Sequence, residues 1–122
     1  MKAVGYARVV PRSSKEEALA HQAQRIAAYC QSHELELLEV FEETGSAEIS
    51  MADGRKGLAE AIAAVPDHGA LVVVRADRLS GNRRVLQEVQ SKCQERDITV
   101  HTMSGPVDLS KVKTTIEVTV LP

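Results

Sequence analysis

The chain has 122 residues, a hydrophobic content of 43%, a charged content of 26% and a formal net charge of −2. This length supports one domain with one core, and the net charge excludes a broad basic field that holds nucleic acid by counterion release. Because no apolar run is long enough to cross a bilayer and the first residues lack a signal-peptide pattern, we expect a single cytoplasmic domain with no membrane partner.

The chain begins with a predicted strand and a predicted helix. β-Branched and aromatic residues make residues 3–10 a strand, with Arg8 near its carboxyl end. Apolar residues at intervals of three and four make residues 15–33 an amphipathic helix. Ser13 and Ser14 each precede a glutamate by three residues, so either serine is a candidate N-cap of this helix.

The next segment predicts a strand, a loop and a helix. Apolar residues alternate imperfectly over residues 35–42, which favours a second strand. Residues 44–54 mix Gly, Ser and Asp without a period and predict a loop of the kind that often carries function, with Arg55 at its exit. Helical spacing returns over residues 57–65.

Residues 70–80 hold the centre of the predicted fold. Residues 71–74 form an uninterrupted apolar run, which is typical of a parallel strand covered on both faces. Arg75, Asp77 and Arg78 follow at its carboxyl end, the edge of an open α/β sheet where ligand sites usually form. Arg8 approaches the same edge if the two strands are parallel neighbours.

The last third of the chain predicts a helix that begins after residues 80–82 and ends near residue 96. A strand at 98–103 follows, with a break at 104–106, and alternating apolar residues favour a strand in the tail at 107–122. Strands that alternate with helices predict a three-layer α/β/α sandwich with a mostly parallel sheet of four to five strands.

The cysteines and histidines predict no metal or redox site. Cys30 and Cys93 lie on the apolar stripes of predicted helices, four residues after Ile26 and Val89, and are expected to be small buried hydrophobes. The four histidines show no metal-ligand spacing. We therefore expect neither a metal nor a cofactor.

Arginine is the commoner basic residue, nine of the fifteen, and most arginines fall at predicted strand ends and loops. Its planar guanidinium pairs with phosphate by a fork that lysine lacks. The arginines in these places are Arg8, Arg12, Arg55, Arg75, Arg78, Arg83 and Arg84. The alternative is that they form ordinary ion pairs with Glu42, Glu43, Asp53 and Asp77.

Three motifs resemble the catalytic domain of serine recombinases, the resolvase/invertase family. They are Gly5-Tyr6-Ala7-Arg8-Val9, Gly54-Arg55-Lys56-Gly57-Leu58 and Asp77-Arg78-Leu79-Ser80, and the resemblance runs from residue 3 to about residue 110. In that family a serine just past the first strand attacks a DNA phosphodiester and forms a phosphoserine link, while arginines stabilise the charge on phosphate.

The resemblance implies a role for particular residues. Arg8, Arg55 and Arg78 would form a phosphate clamp, with Asp77 orienting the cluster, and Gln22 matches a family glutamine on the first helix. The chain departs from the family at this same implied site.

The first departure is at the nucleophile, where the family reads Y-x-R-V-S and this chain has Val10 in place of the serine. Valine has no group that attacks phosphorus. An alignment that inserts three residues uses Ser13 instead, although Ser13 is also a candidate helix cap. The second departure is Ser80-Gly81 where the family has S/G-R, so a clamp arginine is missing unless Arg83 or Arg84 replaces it.

The third departure concerns the chain after residue 110, where family members continue into a long dimerisation helix and a DNA-binding domain. We expect this chain to consist of the catalytic-type domain alone, and hence to bind DNA weakly by itself, with a homo-oligomer or a protein partner as further associations.

Three functions remain open at this stage. The first is a serine-recombinase-like domain that has lost catalysis and serves as a binding or regulatory module in DNA recombination. The second is an active recombinase domain with Ser13 as a displaced nucleophile. The third is a small α/β domain that binds a phosphate or nucleotide at its strand edge, although the chain has neither a P-loop nor a G-x-G-x-x-G motif.

Overall fold

The computed structural model describes residues 1–9, 15–44, 55–80 and 82–112. Several predictions lie outside these residues: position 10, the candidate caps Ser13 and Ser14, the body of the loop before Arg55, and the strand in the tail after residue 112.

Five strands and four helices make up the described fold, and a 3₁₀ turn follows them at Leu109–Lys111. The strands are β1 Lys2–Val9, β2 Glu36–Thr44, β3 Ala70–Val72, β4 Thr99–Thr102 and β5 Gly105–Val107. The helices are α1 Lys15–Ser32, α2 Lys56–Ala64, α3 Ala76–Leu79 and α4 Arg83–Glu95.

The strands form one sheet in the order β2-β1-β3-β4-β5. The first four are parallel to their neighbours, and β5 is antiparallel to β4. The predicted central strand, β3, is therefore in the middle of the sheet. The strand ends at Val72, before the end of the apolar run at residues 71–74. The mostly parallel α/β sheet predicted from the sequence is confirmed.

Helices cover both faces of the sheet. On one face, Ile26, Tyr29 and Cys30 of α1 pack on residues 70, 72 and 74. On the other face, α2 and α4 pack on Leu71 and Val73. This division agrees with right-handed crossovers, because the chain winds from β1 to β2 in one direction and from β3 to β4 in the other. The three predicted layers are present.

The apolar stripes of α2 and α4 were predicted correctly, and that of α1 was only partly right. Leu58, Ala61 and Ile62 of α2 are buried, as are Cys93 and the apolar residues before it on α4. On α1, Ala27 follows Ala23 at the four-residue spacing that predicts the buried stripe but is exposed, whereas Gln22 is buried. The buried face of α1 therefore differs from the predicted apolar stripe, because the polar side chain of Gln22 also contacts the backbone of β1.

Three elements were not predicted. The 3₁₀ turn at Leu109–Lys111 lies in the tail that was predicted as a strand from residue 107, so that prediction is wrong for these residues. Residues 76–79 form the short helix α3, whereas the sequence shows only a cluster of charges after a strand. Residues 104–106 do not end the sheet: the chain turns at 103–104, Gly105 adopts φ +109, and β5 pairs back on β4. Pro106 is tolerated there because β5 has β4 as its only neighbour among the described strands, so no second ladder needs its missing N–H.

The irregular alternation of β2 has a structural cause. The register with β1 shifts between Ala3 and Val4, which pair with Leu37 and Glu39, so Leu38 is an extra residue and is 47% exposed. One inserted residue changes which side chains face each side of a strand. As a result Val40 packs on the α1 side, and Glu43, two residues after Phe41, faces the α2 side.

Candidate functional site

The winding direction of the chain changes between β1 and β3. From β1 the chain passes through α1 to β2, and from β3 it passes through α4 to β4 on the opposite side. In open parallel sheets this change leaves a crevice at the carboxyl ends of the two strands, where ligands bind. Arg8 ends up at this crevice from β1, and residues 75–80 from the segment after β3.

Arg8 is 4% exposed and connects β1 to α3. Its Nε donates a hydrogen bond to the carbonyl oxygen of Arg78 at 2.8 Å, and its Nη2 donates to the carbonyl oxygen of Asp77 at 2.8 Å. Burial lowers the pKa of Arg8, and the positive charges of Arg55 and Arg78 lower it further. The three arginines that the resemblance assigns to a phosphate clamp therefore lie close enough to one another to interact, and Arg8 meets Arg78 at the same edge of the sheet, as predicted.

Arg55 is 1% exposed and is held by three described partners. Its Nη2 donates to the Tyr6 hydroxyl at 2.8 Å and to the Leu79 carbonyl oxygen at 2.5 Å, and its Nε donates to Glu43 Oε1 at 3.0 Å. A buried guanidinium needs such acceptors because the charge has lost most of its water. Arg55 thus joins the ends of β1 and β2 to α3.

Glu43 accepts hydrogen bonds from three residues, one on β1 and two at the start of α2. Oε1 accepts from Arg55 Nε and from the Tyr6 hydroxyl, the latter at 2.5 Å, and Oε2 accepts from the backbone N–H of Gly57 at 2.7 Å. The last bond caps α2, whose N-cap residue Arg55 makes no side-chain capping bond. The sequence predicts for Glu43 only an ion pair with an arginine, as for three other carboxylates, and its ion pair with Arg55 is present.

Tyr6 stays protonated in this cluster. Burial raises its pKa above the ordinary value, and the hydrogen bond to Glu43 raises it further, although Arg55 acts in the opposite direction. A neutral phenol donates to Glu43 and accepts from Arg55 at the same time, so it links the two charged groups.

Two guanidinium nitrogens of the cluster are buried and have no hydrogen-bond acceptor among the described residues: Arg55 Nη1 and Arg78 Nε. A buried donor without an acceptor is rare in native proteins because it costs about 1–3 kcal/mol. Both atoms belong to residues that the resemblance assigns to the phosphate clamp. An anion bound in the crevice would supply the missing acceptors.

The other predicted site residues lie nearer the surface. The Asp77 carboxylate is 3.3 Å from Arg75 Nε and both side chains are exposed, so Asp77 meets Arg8 through its backbone carbonyl. Arg83 is half-buried and Arg84 is exposed, both in the first turn of α4 after the N-cap Asn82. Their roles in binding phosphate stay predictions.

Gln22 of α1 fixes the backbone of Arg8. Its Nε2 donates to the Arg8 carbonyl oxygen at 3.0 Å, and its Oε1 accepts from the Arg8 N–H at 3.3 Å. The pairing of β3 with β1 ends at Gly5 and Val72, so the side chain of Gln22 takes the place of a neighbouring strand. The candidate nucleophile Ser13 and the valine at position 10 fall outside the described residues, so the structure gives no distance from Ser13 to the arginines.

The described residues hold no group of three or more His, Cys, Asp and Glu side chains arranged to bind a metal ion. None of the helices in that part of the chain combines the length and the apolar character needed to cross a bilayer.

The fold is similar to solved serine recombinase domains. The C-terminal catalytic domain of ISC1926 TnpA, an IS607-like serine recombinase, superposes with a TM-score of 0.71 at 19% identity, over 98% of this chain and 75% of that one. A resolvase family site-specific recombinase from Streptococcus pneumoniae gives 0.70 at 20% identity, over 97% and 82%. The N-terminal catalytic domain of TP901-1 integrase gives 0.67 at 18% identity, over 98% and 87%.

These similarities define the class: the domain has the fold of a serine recombinase catalytic domain. The family described as "Resolvase, N terminal domain" matches residues 3–121. The chain belongs to that family, as the three motifs indicated. The comparison with curated proteins gives no match.

Proposed function

We propose that this serine-recombinase-like domain binds DNA by holding a backbone phosphate between Arg8, Arg55 and Arg78, and that it does so without cleaving the strand. The observation that supports the binding most directly is the pair of buried guanidinium nitrogens that lack acceptors. A phosphate oxygen is a charged acceptor, and hydrogen bonds to it are stronger than those to a neutral group.

The charge balance of the cluster also supports an anion as the ligand. Three arginines meet there, whereas Glu43 is paired with Arg55 and the Asp77 carboxylate lies beside Arg75. The surplus positive charge is local, because the chain as a whole carries −2. Binding should therefore be weak and sensitive to salt.

The proposed loss of cleavage rests on the sequence. Position 10, where the family's serine attacks the phosphodiester, is valine. Phosphate binding needs only the arginines, while forming a phosphoserine needs a hydroxyl oxygen in line with the leaving oxygen. The domain then serves recombination as a DNA-binding or regulatory module, alone or with a partner chain.

Replacing Arg78 by alanine tests the binding. Arg78→Ala should weaken binding of a short fluorescent duplex about tenfold at low salt and make the salt slope shallower by about one. Arg25→Ala removes the same charge from an exposed position on α1 and is the matched control. Equal losses of affinity in the two variants, measured by fluorescence anisotropy, would contradict the proposed site.

Nicked duplexes that trap a covalent intermediate test the loss of cleavage. We expect no covalent protein–DNA adduct on gel electrophoresis. An adduct that disappears in Ser13→Ala would instead establish Ser13 as a displaced nucleophile. A rise in melting temperature with free nucleotides, but not with DNA, would favour the small-phosphate function.

A further inference from the structure

Arg55 donates its hydrogen bonds from only one edge of the guanidinium group. A guanidinium has five N–H donors, one on Nε and two on each Nη. Those on Nε and Nη2 have Glu43, Tyr6 and Leu79 as acceptors, whereas Nη1 has no acceptor among the described residues. The side chain is thus fixed along one edge, with its remaining donors uncommitted.

Glu43 determines this orientation more than any other described partner. The Leu79 carbonyl and the Tyr6 hydroxyl both hold Nη2, and Glu43 alone among the described residues holds Nε. The Tyr6 hydroxyl is in turn held by Glu43, so loss of the carboxylate affects both contacts. Glu43 is itself anchored by the Gly57 N–H, and its side chain is 11% exposed.

The side chain of Glu43 packs closely against Gly57 at the start of α2. A Cβ atom added to Gly57 would be 2.9 Å from Glu43 Oε2 and 3.1 Å from Glu43 Cβ. The carboxylate therefore lies directly against the start of α2, where a Cβ atom at position 57 would displace it. A glutamine in place of Glu43 would direct an NH₂ group at one of these donors, because it has one acceptor oxygen instead of two.

We propose that Glu43 is a positioning residue, which fixes Arg55 through Nε and Tyr6 so that Nη1 is the nitrogen left to donate to a bound phosphate oxygen. This proposal rests on the proposed binding of DNA phosphate at the arginine cluster. Under this proposal Glu43 is necessary for binding an anion, although the negative charge of Glu43 repels that anion.

The sign of the effect on affinity distinguishes positioning from simple electrostatics. If Glu43 positions Arg55, Glu43→Gln should weaken binding of the fluorescent duplex about tenfold, the size of one lost charged hydrogen bond. If Glu43 acts only through its charge, the same variant should bind DNA more tightly. Glu42→Gln is the matched control, because Glu42 is the exposed neighbour of Glu43 on the same strand. The Glu42→Gln variant should bind DNA at least as tightly as the parent protein.

A double-mutant cycle shows whether Glu43 acts through Arg55. In the Arg55→Lys background, which lacks Nη1, Glu43→Gln should cause little further loss of affinity. If the two substitutions lowered the affinity independently, so that their fold losses multiplied in the double variant, the proposal would be overturned. Tighter DNA binding by a folded Glu43→Gln variant would overturn it as well.

A measurement on the parent protein covers the case in which a variant does not fold, and it is independent of DNA. In NMR spectra the Nε–H of Arg55 should exchange with solvent far more slowly than that of the exposed Arg25, because it is buried on a carboxylate. Rapid exchange of Arg55 would overturn the positioning role even if DNA binds. Slow exchange with no effect of Arg78→Ala on DNA binding would overturn the proposed function and leave the orientation of Arg55 standing.

Discussion

His101 and His33 both contact the Tyr29 ring, on the face of the sheet that α1 covers. The Tyr29 hydroxyl is 2.7 Å from His101 Nδ1, and the His33 ring stacks on the Tyr29 ring with centroids 3.9 Å apart. Burial lowers the pKa of His101 below 6.5, and the nearby His33 lowers it further. The neutral ring is therefore the form that the fold stabilises, with Nδ1 hydrogen-bonded to the Tyr29 hydroxyl.

Acid should weaken the fold through this residue. Because the pKa of His101 is lower in the folded state, the unfolded chain takes up a proton first as the pH falls below the ordinary value of 6.5. From about pH 7.5 to about pH 5.5, the urea midpoint should fall more for the parent than for His101→Asn, which keeps an acceptor and does not titrate. Identical pH dependence in the two proteins would contradict this assignment.

Close packing between β1 and α1 is an element-scale feature that depends on glycine. A Cβ atom on Gly5 would be 2.8 Å from Ile26 Cγ2 and 3.1 Å from Val40 Cγ2. Gly5 pairs with both Val40 of β2 and Val72 of β3, so the strand is fixed on both sides and has little freedom to move away from the helix. The site depends on this contact, because α1 also carries Gln22 to the backbone of Arg8.

Gly5→Ala should lower the free energy of unfolding by about 1–3 kcal/mol, the usual cost of overpacking a core. The measurement is urea denaturation followed by circular dichroism. Repeating it with Ile26→Ala in both backgrounds removes the contacting methyl group, and the cost of Gly5→Ala should then shrink. An undiminished cost would show that the effect does not come from the helix contact.

At the scale of the whole molecule, the single sheet joins two separate cores. Cys30 lies in the core under α1, and Cys93 lies in the core under α2 and α4. Both are 1% exposed. Burial raises the pKa of both thiols, that of Cys93 to about 11, so little thiolate is available for reaction. The two thiols thus report on opposite faces of one domain.

Both thiols should be protected from a disulfide reagent in the native protein and should become reactive together. β1 and β3 contribute residues to both cores, so neither core can open without disturbing the shared sheet. Labelling at increasing urea concentrations, with each cysteine followed by peptide mass spectrometry, gives the measurement. Labelling of one cysteine well below the midpoint of the other would mean that the two faces unfold separately.

The sequence by itself determined the class of fold, the central strand and the edge of the sheet where the three arginines meet. These follow from local patterns: an unbroken apolar run, helical spacing on α2 and α4, and charges that begin where a strand ends. The motifs also identified the family and named Arg8, Arg55 and Arg78, which the fold brings together. Local patterns did not predict α3 or β5. The helix α3 is a single turn and the strand β5 has three residues, so both depend on the neighbouring segments.

Only the tertiary structure decided what each polar side chain does. Extending the alternation of Leu35 and Leu37 along β2 places Glu43 on the face that α1 covers, and the extra residue Leu38 reverses this. Gln22 and Glu43 act on groups that are 12 residues or more away in the chain, so no local period reveals them. The physical reason is that a buried polar group must find a partner wherever the fold supplies one, and those partners exist only once the sheet and helices are assembled.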